Sequence, residues 1–161
     1  MSESPRLSHL DDSGAARMVD VGAKPVTTRE AVARAIIVMS PATRALILDG
    51  KLAKGDALAC ARIAGIMAAK RTSDLIPLCH PLPLDAAEID FSDCPEGLEI
   101  TALARTSART GVEMEALSAC AMAALTLYDM AKSVERGMRI TDLRLVAKTG
   151  GRSGAWHEER S

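Results

Sequence analysis

Three groups of residues in this 161-residue chain have the types and spacing to do chemistry. The first is His80, one of only three histidines, set in Leu75-Ile-Pro-Leu-Cys-His-Pro-Leu-Pro-Leu84. Pro77, Pro81 and Pro83 each fix φ and remove a backbone donor, which forbids helix there, and Pro81 biases His80 toward extended backbone. A titratable imidazole in a stiff apolar loop suits a binding site. It equally suits a buried histidine with one satisfied hydrogen bond. Adjacent residues rarely face one another, so Cys79 and His80 make a poor thiolate–imidazole pair.

The second group lies on the helical stretch that opens at Thr110. Thr110-Gly-Val-Glu113 has the form of a capping box, which accounts for Glu113 without any function. Glu115, Asp129 and Lys132 are different. At about 100° per residue, Glu115 and Asp129 fall within about 40° of each other, and Lys132 within about 60° of Asp129. The residues between them are almost all apolar, so the helix should be buried on most of its circumference and Asp129 partly with it. A buried carboxylate needs a partner, and Lys132, one turn on, is available. The pair is either an ordinary i,i+3 ion pair or a carboxylate–ammonium couple with shifted pKa values, usable for proton transfer.

The third group is basic. Lys51, Lys54, Lys70, Arg71, Arg109, Lys132, Lys148 and Arg152 are scattered in sequence, but several fall at turns or element ends and could converge on an anion. Lys148-Thr-Gly-Gly-Arg-Ser-Gly154 has the composition of a phosphate-binding turn without the G-x-x-x-x-G-K-[ST] spacing, and a flexible tail is the plainer account of it. No Ser-His-Asp order, nucleophile elbow or metal motif stands out, so neither a metal nor a cofactor is expected.

The elements that must position these groups follow from periodicity and punctuation. Residues 28–40 suit a helix in their first half, but Ile36-Ile37-Val38 is β-branched and the segment is assigned to a strand. Pro41–Leu48 fits a short helix capped by Ser40, and Asp56 opens a long helix to about Thr72. Ala87–Phe91 and Leu98–Leu103 read as a hairpin about Cys94-Pro-Glu-Gly97. The longest helix should run from Thr110 to about Arg136, closed by Gly137, with a last strand over Met138–Val146. Two long helices on an antiparallel four-stranded sheet describe an α+β plait of the ferredoxin-like kind. The expected organisation is a flexible arm over 1–17, one catalytic domain over 18–148 and a flexible basic tail over 149–161.

Composition narrows the class further. Hydrophobic residues make up 48% of the chain, yet there is one Trp, one Tyr and one Phe. The core must therefore be closely packed Ala, Leu, Ile, Val and Met. Four cysteines without a C-x-x-C read as reduced thiols of a cytoplasmic protein, and no secretory signal or apolar run of about 18 residues appears. A net charge of −1 and the lack of stacking aromatics argue against nucleic acid as partner.

Longer words in the sequence are more specific. Met18-Val-Asp-Val21, Lys54-Gly-Asp56, Ala61-Arg-Ile-Ala-Gly-Ile66, Ala69-Lys-Arg-Thr72, Asp74-Leu-Ile-Pro-Leu-Cys-His-Pro-Leu82, Thr110-Gly-Val-Glu-Met-Glu-Ala-Leu117 and Tyr128-Asp-Met130 occur in that order. From about Met18 to Gly154 the chain resembles the MoaC family of molybdenum-cofactor biosynthesis, the cyclic pyranopterin monophosphate synthases. The resemblance implies a homohexamer, a trimer of dimers with the site at a subunit interface. It implies conversion of 3′,8-cyclo-7,8-dihydroguanosine 5′-triphosphate into cyclic pyranopterin monophosphate and diphosphate. Carried over by motif, Leu78, Cys79, His80, Met114 and Glu115 would bind substrate, and Asp129, Lys132 and Lys54 would be catalytic. Lys51, Lys70, Arg71 and Arg109 are candidates for binding phosphate. Arg109 stands where some members have Lys, and Gly22 where some have Ser. The competing class is a noncatalytic nucleotide-binding accessory protein of the same pathway.

Overall fold

Alternation settles the ambiguous first segment. Ala31, Ala33, Ala35 and Ile37 are buried and the residues between them only half-buried, a period of two that makes a strand. In the computed structural model, which describes residues 13–159, this is β1 (Thr27–Val38). It is followed by α1 (Pro41–Leu48), α2 (Ala57–Ala69), the single turn α3 (Thr72–Leu75), β2 (Ala86–Cys94), β3 (Gly97–Ala108), α4 (Glu113–Ala131), β4 (Arg139–Thr149) and β5 (Trp156–His157). Residues 1–12 of the expected arm lie outside the described residues.

The sheet order is β2-β3-β1-β4-β5, and all neighbouring strands pair antiparallel. Its first four strands with α2 and α4 form the ferredoxin-like plait. The sheet has five strands and not four, because the chain turns back after Thr149 and lays Trp156–His157 against Ala147 and Lys148.

Local chemistry sets the helix starts. Ser40 caps α1, its hydroxyl accepting from Thr43 N at 3.3 Å, with Pro41 in the first turn. Asp56 caps α2 by accepting from Ala59 N at 2.9 Å. At α4 the expected capping box does not form: the N-cap is Val112, without a side-chain cap bond. The helix also stops at Ala131, five residues short of the expected end, where the chain tightens and Val134 N donates to the Ala131 carbonyl three residues back. Likewise α2 ends at Ala69, not Thr72, whose hydroxyl donates to the Ala68 and Ala69 carbonyls.

The core is small-residue packing. Ala57, Ala61, Ala68 and Ala69 of α2 and Ala116, Ala119, Ala123 and Ala124 of α4 are all buried, so the two helix backbones approach closely over the sheet. The tightest point is Gly65, where an added Cβ would stand 2.9 Å from the Ala119 carbonyl oxygen and 3.0 Å from Ile89 Cδ1. Gly65→Ala should therefore destabilise the fold despite the higher helix propensity of alanine. Overpacking of about 1–3 kcal/mol outweighs a propensity gain of about 1 kcal/mol, and urea unfolding of the two proteins compares them directly.

Candidate active site

The proline loop reaches its place by a sharp turn. Ile76 N closes α3 onto the Thr72 carbonyl, and Cys79 N donates to Ile76 O at 3.1 Å, with Pro77 at the second position that such a turn favours. The loop's exit is fastened to β3, Thr106 Oγ1 donating to Pro83 O at 2.6 Å and Asp85 N to Arg105 O at 2.8 Å. Leu78, Cys79 and His80 are thereby set against the N-terminus of α4. There they share a cavity of about 330 Å³ with Met114 and Glu115, roofed by Val19, Val21 and Lys24. All five residues assigned to substrate binding thus line one space.

Two of its groups, Glu115 and Cys79, are shifted by their surroundings. Glu115 is 4% exposed, and burial pushes its carboxyl from an ordinary 4.5 up to about 6, with the Glu113 charge adding to the rise. Burial, and then the Glu115 charge, raise the Cys79 thiol, which disfavours the thiolate that a nucleophile needs. His80 Nε2 lies 2.8 Å from the Val19 carbonyl oxygen.

A second cavity of about 330 Å³ adjoins the first, sharing Lys24, Thr110, Gly111 and Glu113 with it. Its walls carry five cationic side chains, Lys24, Arg29, Arg109, Lys148 and Arg152, against the one carboxylate of Glu113. Two glycines bring the basic segment here. Gly150 and Gly151 both have positive φ, and a Cβ on the first would run into the Thr28 carbonyl and on the second into the Arg29 guanidinium. Arg29 in turn donates from Nε to Ala108 O at 3.1 Å and from Nη2 to Arg109 O at 3.2 Å. Of the four phosphate candidates, only Arg109 lines this space. Lys51 pairs with Asp49 at 2.8 Å, Lys70 caps the end of α2, and Arg71 borders a separate apolar groove with Met67, Leu75 and Met122. Lys24 and Arg29 escaped the sequence reading, because cations at a strand's entrance carry no motif. The Gly150-Gly151 pair after a strand was the available signal.

The three catalytic candidates meet elsewhere. Lys54 Nζ stands 2.9 Å from Asp129 Oδ2 and donates to the Asp129 carbonyl at 2.7 Å, while Lys132 Nζ is 2.7 Å from Oδ1. Lys54 is delivered by a turn closed by Gly55 N to Leu52 O at 3.0 Å, with Gly55 at φ 95°. Lys132 is the C-cap of α4. Its turn is braced by Tyr128 Oη donating to Arg136 O at 3.0 Å, and by Glu135, whose carboxylate accepts from Ser40 N and Oγ. Hydrogen bonds from Lys132 and Lys54 hold the Asp129 carboxyl down at about 2, and the same carboxylate raises Lys132.

Asp129 is not partly buried, as the apolar helix suggested, but 57% exposed. Leu125, one turn earlier on the same face, is exposed too, whereas Glu115 is covered by the loop and the Val19–Val21 segment. Glu115 and Asp129 share a helix face but are fourteen residues apart, about 21 Å along the axis. One chain therefore holds the cavity and the Lys–Asp–Lys cluster at opposite ends of α4. Among the described residues no group of three or more His, Cys, Asp and Glu is arranged to hold a metal ion, and no helix is long and apolar enough to cross a membrane.

Comparison with known proteins fits this arrangement. The model of the MoaC family matches residues 18–151, from the segment over the cavity to the Gly150-Gly151 turn. The chain belongs to the MoaC family. A family relative in Chloroflexus aurantiacus (strain J-10-fl), named cyclic pyranopterin monophosphate synthase, is 60% identical over 163 residues, 99% of this chain and 100% of its own length. Relatives of that name in Thermomicrobium roseum and Brucella ovis are 58% and 57% identical, each over 95% of this chain and 93% and 94% of their own. The MoaC match includes both ends of α4 and so both clusters.

The carboxyl of Glu115 makes stability depend on pH. Its folded-state pKa of about 6 exceeds the ordinary 4.5, so the protonated form fits the fold better. Its burial has no electrostatic cost below pH 4.5, and stability is lost as pH rises to 6, by about 2 kcal/mol in all. Glu115→Gln should match the parent at pH 4.5 and exceed it by about that amount at pH 7.5, measured by urea unfolding at the two pH values.

Proposed function

We propose that the chain is a lyase converting 3′,8-cyclo-7,8-dihydroguanosine 5′-triphosphate into cyclic pyranopterin monophosphate, with release of diphosphate, in molybdenum cofactor biosynthesis. The observation that carries this reading is the junction of two chambers. A chamber that sets His80 and Glu115 among Val19, Leu78, Leu82 and Met114 adjoins one lined by five cations, the shape and charge pattern of a base joined to a triphosphate. The name of the relatives supports the same reaction.

In this scheme His80 and Glu115 hold the guanine-derived ring, with Leu78, Cys79 and Met114 packing around it. Arg109, with Lys24, Arg29, Lys148 and Arg152, binds the phosphates. Closing the cyclic phosphate forms a bond from a sugar hydroxyl to the α-phosphorus and breaks the bond to the departing diphosphate. One proton leaves the hydroxyl and the leaving group can take one up. Lys54 and Lys132 are the donor and acceptor for these transfers and for those of the ring rearrangement, and Asp129 orients and tunes Lys132. No step calls on a cofactor.

The separation of the two clusters along α4 supports a site completed between subunits, within a homohexamer built as a trimer of dimers. A second copy would bring its Lys54–Asp129–Lys132 cluster to the cavity of the first. The four free cysteines, one of them in the cavity, suit a cytoplasmic enzyme, where thiols stay reduced.

Asp129→Asn and Lys132→Met should each lower diphosphate release from the cyclised nucleotide by about 10²-fold or more while leaving assembly intact. Near-native rates in either assembled variant would overturn the assigned roles. Stoichiometric binding by the parent without product would instead favour a noncatalytic nucleotide-binding accessory protein. Co-assembling Lys132→Met with His80→Ala subunits tests the shared site: random pairing should restore about a quarter of the parent activity, whereas a site within one chain restores none.

A further inference from the structure

The proposed reaction leaves no part for Met18-Val-Asp-Val-Gly22, yet this segment is built against the cavity. Asp20 Oδ1 accepts from Gly22 N at 2.8 Å and Lys24 N donates to Val21 O at 3.0 Å. These two short-range bonds bend the segment back on itself. Val19, Val21 and Lys24 consequently all line the chamber that holds His80. Among the described residues, the one hydrogen bond joining the segment to the proline loop runs between the Val19 carbonyl oxygen and His80 Nε2, at 2.8 Å and across 61 residues of sequence.

A carbonyl oxygen can only accept, so the proton of that bond belongs to Nε2. In neutral imidazole the other nitrogen must then be bare. No other hydrogen bond to the ring occurs among the described residues, which leaves Nδ1 as its sole free polar atom. We infer that the Val19 carbonyl acts as a positioning group. It holds His80 in the Nε2–H tautomer, so that the ring offers Nδ1 to the ligand as a hydrogen-bond acceptor and selects a ligand that presents an N–H or O–H donor. The inference rests on the proposed lyase reading for what the ligand is, and on the observed hydrogen bond for the tautomer. A reduced purine-type ring carries N–H donors of the required kind. The strap and the imidazole depend on each other: the strap fixes the proton, and the ring holds the strap over the chamber.

The full-length protein labelled with ¹⁵N-histidine tests this without substrate. Long-range ¹H–¹⁵N spectra, with His80 assigned by its loss in His80→Ala, should show a protonated Nε2 and an unprotonated Nδ1. A ring protonated on Nδ1 alone overturns the inference. Amide hydrogen exchange at Gly22 and Lys24 gives the second readout. His80→Gln, which keeps a donor near the Nε2 position, should hold exchange within about twofold of the parent, whereas His80→Ala should speed it by about tenfold or more. Equal exchange in parent and His80→Ala also overturns the inference. Should His80→Ala fail to fold, the parent spectrum and the Gln variant still decide. Because both readouts are taken on the protein alone, absence of turnover counts against the lyase reading and a wrong tautomer only against the strap.

Discussion

The approach of α2 to α4 is the constraint on which everything else depends. With Gly65 against the Ala119 carbonyl and alanines along both helices, the backbones meet with almost no side chain between them. That closeness lets two helices and a sheet make a dense core from residues with little bulk. It also fixes α4 rigidly, because neither helix can slide without driving Cβ atoms into backbone. Both clusters of ionisable groups hang from this fixed helix, and their geometry is inherited from the small-residue seam.

The two ends of α4 show the same side-chain chemistry pushed in opposite directions. At the N-terminal end the Glu115 carboxyl is enclosed by the proline loop, and Lys24 is the one lysine or arginine among the described residues lining its chamber. Desolvation dominates, and the group holds its proton to about 6. At the C-terminal end Asp129 stands in solvent between two lysines, and hydrogen bonding dominates, pulling it to about 2. Both carboxyls ionise below neutrality but far apart, and exposure and partnering, not residue type, set the difference.

Much of this was legible from residues alone. The first four strands and the caps at Ser40 and Asp56 follow from residue patterning and local hydrogen bonding, and the plait follows from element order, but β5 falls in what reads as a tail. The Leu78–His80 and Met114–Glu115 words lie on one cavity because both flank the start of α4. What sequence could not supply is the third dimension. Angular phase placed Glu115 and Asp129 together, but phase says nothing of the distance along the axis or of what covers each end, so Asp129 came out exposed. The capping box at Thr110 failed because Glu113 folds over Gly111 and toward Lys148, 3.7 Å away. Lys24 and Arg29 were invisible until the Gly150-Gly151 turn brought the chain back across the mouth of the second chamber.

The length of α4 has a meaning separate from its composition. A single residue inserted between Glu115 and Asp129 would rotate the far end by about 100° and advance it by about 1.5 Å. Both clusters would survive intact while ceasing to face the same way. The helix is thus a ruler: its interior can drift among small apolar residues, but its residue count sets the distance and angle between the two clusters. Across variants of this chain, insertions and deletions should be far rarer in 116–128 than substitutions.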